Sequence, residues 1–311
     1  MDETKDILTT QQFDDADLMQ SSSINWQYHA IYKLMPTAFS GENTIIMLPR
    51  LQLSYAKRSG GIFYTVSAPK GTVSVAVVTR SEGKICFGNA KLKEGDILFF
   101  DDKEYYSLFN NDTFEASIVS IPRKGFRKLT QMLTIYRNKV IQDSNNMLTA
   151  QMLHILESFK SNPSIRNDIQ QQAEMEAEII KCIETLLETQ CPCFPKLTKG
   201  ERIALEIRDR IYKRVTKKVT ISSLSQEFNV SEQTLQNAFK SLFGITPNKF
   251  LRNLKLNHVR QALIEADPEK ETILRIANRW GFTHMGHFSR YYTDLFGENP
   301  SLTLARKTQD H

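Results

Sequence analysis

The chain is short of cysteine. Four in 311 residues are too few for the disulfide framework of a small secreted scaffold. No apolar run approaches the roughly 20 residues that cross a bilayer. The start, Met1-Asp2-Glu3-Thr4, has neither the basic nor the apolar region of a signal peptide. These absences point to a cytoplasmic protein without a membrane partner. Histidine is scarce as well. His29, His154, His258, His284, His287 and His311 are the full set, and none lies within 43–122. That stretch therefore lacks the imidazoles of a metal-dependent barrel enzyme. There is no Ser/His/Asp arrangement and no glycine-rich phosphate loop. No catalytic residue, metal ligand or cofactor is assigned.

What is present is a positive charge with an uneven distribution. The net charge is +5. Residues 197–311 carry 19 Lys and Arg against 12 Asp and Glu, a balance of +7. The other 196 residues carry 21 against 23, a balance of −2. The excess sits on the C-terminal third, where it suits a polyanion whose counterions are released on binding.

That third contains one supersecondary unit twice. The copies are anchored on Phe243-Gly244-Ile245-Thr246-Pro247 and Phe296-Gly297-Glu298-Asn299-Pro300. Each anchor follows an apolar ladder, Leu235, Phe239, Phe243 and then Phe288, Tyr292, Phe296. A spacing of four and four places each ladder on one helix face. Ser231 and Thr283 stand where hydroxyl caps belong. A short amphipathic helix precedes each, with Leu224-Ser225 or Ile276-Ala277 mid-way. Helix, tight turn, helix is the arrangement that lays a second helix into a DNA major groove. Double-stranded DNA is the expected partner.

Ahead of the repeat the pattern changes. Residues 1–35 are polar and mixed, and read as a weakly ordered start or an arm. Residues 43–122 read as β: Ile45–Leu48, Ile62–Val66, Val73–Val78, Ile97–Phe100 and Ala116–Ile121 are short β-branched or aromatic runs between turn residues. Regular short strands imply a jelly-roll or small barrel. Asn110-Asn111-Asp112 is a hairpin-turn signal. Residues 125–190 then switch to a helical period. Leu148, Met152, Ile155, Leu156 and Phe159 form one stripe, and Ile179, Ile183, Leu186 and Leu187 a second. Both fit packing on the barrel or a dimer seam. Cys191-Pro192-Cys193-Phe194-Pro195 breaks the helix and marks a linker. Beyond it, Thr198-Lys199-Gly200-Glu201 is a capping box, followed by Ala204, Ile207 and Ile211 on one face. Thr220 caps a short helix. Pro247 opens a long one through about Ile264, with Phe250, Leu251, Leu254 and Val259 inward.

The wording of residues 198–307 resembles the AraC/XylS transcription regulators. The carrying segments are Ile221–Ser225 through Asn229-Val230-Ser231, Gly244–Pro247, Phe250-Leu251-Arg252, Leu256, Ile276-Ala277 through Gly281-Phe282, Phe288-Ser289-Arg290 through Phe296-Gly297, and Pro300-Ser301. Within that family both repeats look most like the ethanolamine-utilisation regulators, in Thr234–Phe239, Trp280–Phe282 through Met285-Gly286, and Pro300–Leu304. No such likeness extends to the N-terminal half, so no effector is carried over. Gly95-Asp96 before Ile97–Phe100 looks like the turn before a strand in cupin-type sensor domains. The expected architecture is therefore α+β. A cupin-like β-barrel (about 43–122) with helices (about 125–190) forms a sensor and dimerisation domain over 1–190. A linker spans 191–197. An all-α DNA-binding domain over 198–311 holds two helix-turn-helix units joined by a long helix.

The ladders face the core, so the opposite faces must meet DNA. On the first recognition helix that face holds Gln233, Gln236, Asn237 and Lys240. On the second it holds Met285, Gly286, Ser289, Arg290 and Thr293, with His287 at the side. Gln and Asn pair bidentately with adenine and Arg with guanine; a Lys contacts phosphate, which positions without specifying. The family often has Arg where this chain has Asn237, so the first half-site is expected to favour adenine. Gly286 brings no side chain to the second. His284 and His287 are not placed to share a metal.

The resemblance further implies an activator that binds a small-molecule effector in the barrel, forms a homodimer and contacts RNA polymerase. Candidate effector-binding residues are Phe63, Tyr64, Phe99, Phe100, Tyr105 and Tyr106, of which strand alternation turns about half inward. Lys57, with Arg50 and Arg58, would suit a carboxylate such as the fatty acid seen in some relatives. Two other classes stay open: an architectural DNA-binding protein without sequence preference, and a metal-independent cupin enzyme fused to a DNA-binding module.

Overall fold

The computed structural model describes residues 7–19, 25–137, 139–189, 197–215 and 218–305. The fold is α+β. The chain divides into two compact units. One comprises Met1–Ile31, Ala38–Ser59 and Tyr64–Lys196; the other comprises Tyr32–Thr37, Gly60–Phe63 and Leu197–His311. Among the described residues, no helix is long and apolar enough to cross a membrane.

The β elements are β1 (Leu8–Phe13), β2 (Gln27–Lys33), β3 (Ser40–Met47), β4 (Gln52–Ser59), β5 (Ile62–Ser67), β6 (Thr72–Ser81), β7 (Ile85–Phe87), β8 (Ala90–Leu92), β9 (Asp96–Asp101), β10 (Tyr106–Asn110), β11 (Phe114–Pro122) and β12 (Val140–Gln142). They form two sheets rather than one closed barrel. The larger runs β1-β3-β4-β11-β6-β9-β12, the smaller β2-β5-β10-β7-β8. The expected polar arm is thus partly strand. β1 pairs antiparallel with β3, Leu8 opposite Ile46 and Phe13 opposite Gly41. Its six residues include a single buried one, Phe13, so hydrophobic patterning could not reveal it. The Asn110-Asn111-Asp112 turn does not close a hairpin. It carries the chain from β10 in the small sheet to β11 in the large one.

The large sheet is buried on both faces. Strand alternation sends Leu53, Tyr55, Val73, Val75, Val77, Ile97, Phe99, Val119 and Ile121 into one cluster with the helices α1 (Arg127–Ile135), α2 (Met147–Ser161) and α3 (Ile169–Thr189). All nine residues of the two helical stripes are in that cluster, so those faces are occupied by the unit's own sheet. Asp143 starts α2, its carboxylate accepting from the backbone N–H of Met147 and Thr149 at 3.0 and 2.8 Å. Buried Glu176 on α3 accepts from Arg50 and Leu51, so the β3–β4 turn is tied to the helix. The Cys191–Pro195 linker lies outside the described residues.

The second unit is built from α4 (Lys199–Arg214), α5 (Ile221–Glu227), α6 (Glu232–Phe243), α7 (Pro247–Glu265), α8 (Ile273–Arg279), α9 (Met285–Phe296) and α10 (Pro300–Ala305). Thr198 and Glu201 form the reciprocal capping box, with bonds of 3.2 and 3.0 Å. Thr220, Ser231 and Thr246 cap α5, α6 and α7, and Pro247 occupies the first turn of α7. The residues expected inward on α4 and α7 are buried. Phe239, Phe243 and Phe250 meet with ring centroids 5.2–5.5 Å apart. Such pairs add about 0.5–1.5 kcal/mol each beyond burial. They clamp α6 onto α7.

Candidate nucleic-acid interface and internal cavity

α5–α6 and α8–α9 are two copies of one unit. Each first helix ends in a left-handed residue, Asn229 (φ 48°) or Gly281 (φ 92°). The next backbone N–H reaches back five residues, Val230 to Ser225 at 3.0 Å and Phe282 to Ala277 at 3.1 Å. That is the closure of a helix end by a left-handed residue. Each second helix has 12 residues and ends on a left-handed glycine, Gly244 or Gly297, whose N–H reaches Lys240 O or Thr293 O. The copies differ in the turn. Four residues, Phe228–Ser231, join the first pair; five, Trp280–His284, join the second. The extra residue makes His284 the N-cap of α9, without a side-chain cap bond. Thr283 is therefore not the cap that its hydroxyl led us to expect.

Burial follows the ladders. Leu235, Ala238, Phe239, Leu242 and Phe243 are buried on α6; Phe288, Tyr292 and Leu295 are buried on α9. Phe296 is half-buried, with the Arg260 guanidinium 4.9 Å from its ring. On the opposite face of α6, Gln233, Asn237 and Lys240 are exposed and Gln236 is half-buried. On α9, Gly286, His287 and Arg290 are exposed. Met285, Ser289 and Thr293 are half-buried. Met285 packs on the apolar cluster, and Thr293 donates to Asn299 Oδ1 at 2.9 Å. These two turn partly towards the unit's own structure.

The polar faces are internally ordered. Gln233 Nε2 donates to Asn237 Oδ1 at 3.1 Å. Arg290 Nη2 lies 3.3 Å from His287 Nδ1. Tyr291 carries Arg252 on one side, its Cζ 4.0 Å from the ring centroid, and Arg290 at 5.5 Å. Arg252, on the joining helix, was not among the residues expected from sequence. Its signal would have been an Arg inside the Phe250-Leu251-Arg252 segment next to an apolar stripe. Two guanidinium groups on one aromatic ring concentrate positive charge beside α9.

The first unit holds a cavity between its two sheets. Its floor is the large sheet's other face, and small side chains open it. Ser54, Ile118, Ala76 and Leu98 form one rung across four strands. Asn43, Ala56, Ala116 and Val78 form the next. Trp26, Tyr28, Tyr64 and Val66 face it from the small-sheet side, with Phe100. The volume is about 50 Å³, several times the space one water needs. Of the effector candidates, Tyr64, Phe100 and Arg58 line it. Phe99 is one residue out of phase and packs 5.3 Å from Tyr136 in the helix-side core. Phe63 belongs to the other unit, beside Tyr212 and Phe250. Tyr105 is 70% exposed against His29. Tyr106 stacks on Phe87. Lys57 is exposed and paired with Glu115, and Arg50 pairs with Glu176. Burial raises the Tyr64 hydroxyl well above its usual range, with the Arg58 charge opposing.

Known proteins are similar in sequence to parts of this chain. The family model of a helix-turn-helix domain matches residues 224–306. The chain is 36% identical over 86 residues to the probable thc operon regulatory protein of Rhodococcus erythropolis, covering 28% of this chain and 26% of that protein. It is 33% identical over 107 residues to the XylDLEGF operon transcriptional activator of Pseudomonas putida, covering 34% and 33%. These matches span about a quarter to a third of those relatives. A longer match, 25% identical over 222 residues, is to the transcriptional activator RhaS of Pectobacterium carotovorum, covering 70% and 76%. Among solved structures, the AraC-like transcriptional activator CuxR aligns over 79% of this chain and 86% of its own, at 15% identity and a TM-score of 0.41. A probable AraC family regulator from Rhodopseudomonas palustris aligns over 35% and 97%, at 32% identity and 0.30.

Proposed function

Residues 224–306 being a helix-turn-helix domain of the AraC/XylS type, we propose that the whole chain is a sequence-specific transcription activator. The observation that carries this is the pair of 12-residue helices, each clamped by a buried ladder and presenting an ordered polar face. Gln233, Gln236, Asn237, His287, Ser289 and Arg290 read base edges. Lys240 holds phosphate. Met285 and Thr293 flank the second face. α7 lies between the two helix-turn-helix units in sequence and fixes their separation, so they meet successive major grooves, about 34 Å apart. The first unit senses a small effector in its cavity and supports a homodimer, and RNA polymerase is the protein that activation must engage. The site of action is the cytoplasm.

The test is selection of binding sites from random duplex DNA with the full-length chain at two salt concentrations. A bipartite motif spanning two adjacent major grooves, with steeply salt-dependent affinity, is the expected result. Tight binding without a motif would overturn sequence specificity in favour of an architectural role.

A further inference from the structure

Five cations converge on one open groove of the first unit. Lys103 stands in the turn between β9 and β10, and Arg123 and Lys124 in the turn after β11. Arg127 is the first residue of α1, and Arg137 lies just beyond its end. The groove has a volume of about 730 Å³, within the roughly 300–1,000 Å³ of small-molecule sites. The only carboxylate among its described lining residues is that of Asp101.

Two of the five cations are fixed in place. Asp101 is 0% exposed. It accepts from Arg137 Nη1 at 3.0 Å and lies 4.0 Å from Arg123 Nη2. Arg123 Nη2 donates to Asp102 Oδ1 at 2.8 Å, and Arg137 Nη1 to Glu104 Oε1 at 2.9 Å. These bonds use only part of each guanidinium's donors. Arg123 Nε is buried with no hydrogen-bond partner among the described residues. The other three, Lys103, Lys124 and Arg127, are exposed, and their side chains meet no carboxylate among the described residues. Even with Asp102 and Glu104 added to Asp101, five cations face three anions. The first turn of α1 holds no acid, so the positive end of that helix adds to the excess.

The excess is local, because residues 1–196 carry 21 Lys and Arg against 23 Asp and Glu. Like charges gathered from separate turns repel one another, and an anion among them removes that cost. Guanidinium groups held by carboxylates present their remaining donors in a fixed fork, which suits phosphate oxygens. Ile135, 66% exposed, lines the same groove and offers apolar surface beside the charge.

We infer that this groove binds an organic polyphosphate of nucleotide size. Its phosphates lie among Arg123, Lys124, Arg127 and Lys103, and its uncharged body lies against Ile135. The site is separate from the cavity between the sheets, and the regulator reading does not depend on it.

The experiment is calorimetric titration of the full-length protein, at physiological ionic strength, with ATP, GTP, adenosine and inorganic tripolyphosphate. Arg127→Glu is run beside the wild type. Lys160→Glu on α2 controls for net charge, and Lys240→Ala controls for the face expected to meet DNA. The nucleotides are expected to bind, adenosine at least tenfold more weakly. Arg127→Glu is expected to lose at least tenfold and the two controls less than twofold. Undiminished binding by Arg127→Glu, or equal loss in either control, would overturn the site. Adenosine binding as tightly as ATP would overturn the phosphate class, and tripolyphosphate binding as tightly would overturn the role of Ile135. If Arg127→Glu weakens duplex DNA as much as ATP, the groove is a nucleic-acid surface and the inference fails. No nucleotide binding would also overturn it, while a DNA motif found by selection would keep the regulator reading intact. Arg127 is exposed, so its variant is expected to fold; an unchanged melting temperature without ligand checks this.

Discussion

Gln233 Nε2 donates to Asn237 Oδ1 at 3.1 Å, one helical turn apart on the exposed face of α6. The bond orients the Asn237 amide on that face. Asn237→Ala is expected to weaken binding to the selected site by about 1–3 kcal/mol and to relax preference at one base. Gln233→Ala should weaken it too, and the double variant should cost less than the sum, because the two act as one group. Quantitative binding to the site and to single-base variants measures this. Strict additivity would show that the two amides act independently.

Arg290 and Lys240 are expected to make two kinds of contact. Arg290→Ala should lose about 1–3 kcal/mol on the selected site and far less on random duplex. Lys240→Ala should weaken both alike and lower the slope of log affinity against log salt by about one. Loss of base preference in the Lys240 variant would show it to be a reader.

His258 stacks on Trp280, with centroids 4.5 Å apart and planes at 10°, and its Nε2 is buried without a hydrogen-bond partner among the described residues. Burial lowers its pKa below 6.5. The unfolded chain then binds the proton more readily than the folded one. No stability is lost above pH 6.5, and stability falls as pH drops below it towards the folded value. Melting curves from pH 7.5 to 5 should show this decline, reduced in His258→Phe. An identical decline in the variant would assign it to other groups.

Gly286 and Gly297 should respond oppositely to the same change. A Cβ on either meets nothing within 4 Å, so only the backbone decides. Gly297 sits at φ 77°, and Gly297→Ala should destabilise by about 1–2 kcal/mol. Gly286 has an ordinary helical conformation, and Gly286→Ala should stabilise by about 0.4–1 kcal/mol. Denaturant titration reads both. Stabilisation by both would show that Gly297 is not held left-handed.

Much of the second unit was legible because a surface helix writes its burial into a period. Leu235, Phe239 and Phe243 could only be an inner face, so Asn237 and Lys240 had to be outer. The turn length was less legible: Thr283 looks like a cap, but one added residue moves the helix start to Met285. The large sheet hid its own logic. With both faces buried, Val73-Ser74-Val75-Ala76-Val77-Val78 shows no polar alternation, and nothing in that run says that Val75 packs on helices while Ala76 floors a cavity.

The sequence by itself determined the double helix-turn-helix, the Thr220, Ser231 and Thr246 caps and the polar faces, since each depends on residues within a few turns of one another. Only the tertiary structure decided that β1 is a strand, that the β region is two sheets, and that Arg58 rather than Arg50 or Lys57 is the buried cation. Those outcomes depend on strand pairings such as Arg58 opposite Phe114 and Gly41, 56 and 17 positions away in the chain. No local period records which partner a strand will meet, and burial of a charge is a property of that meeting.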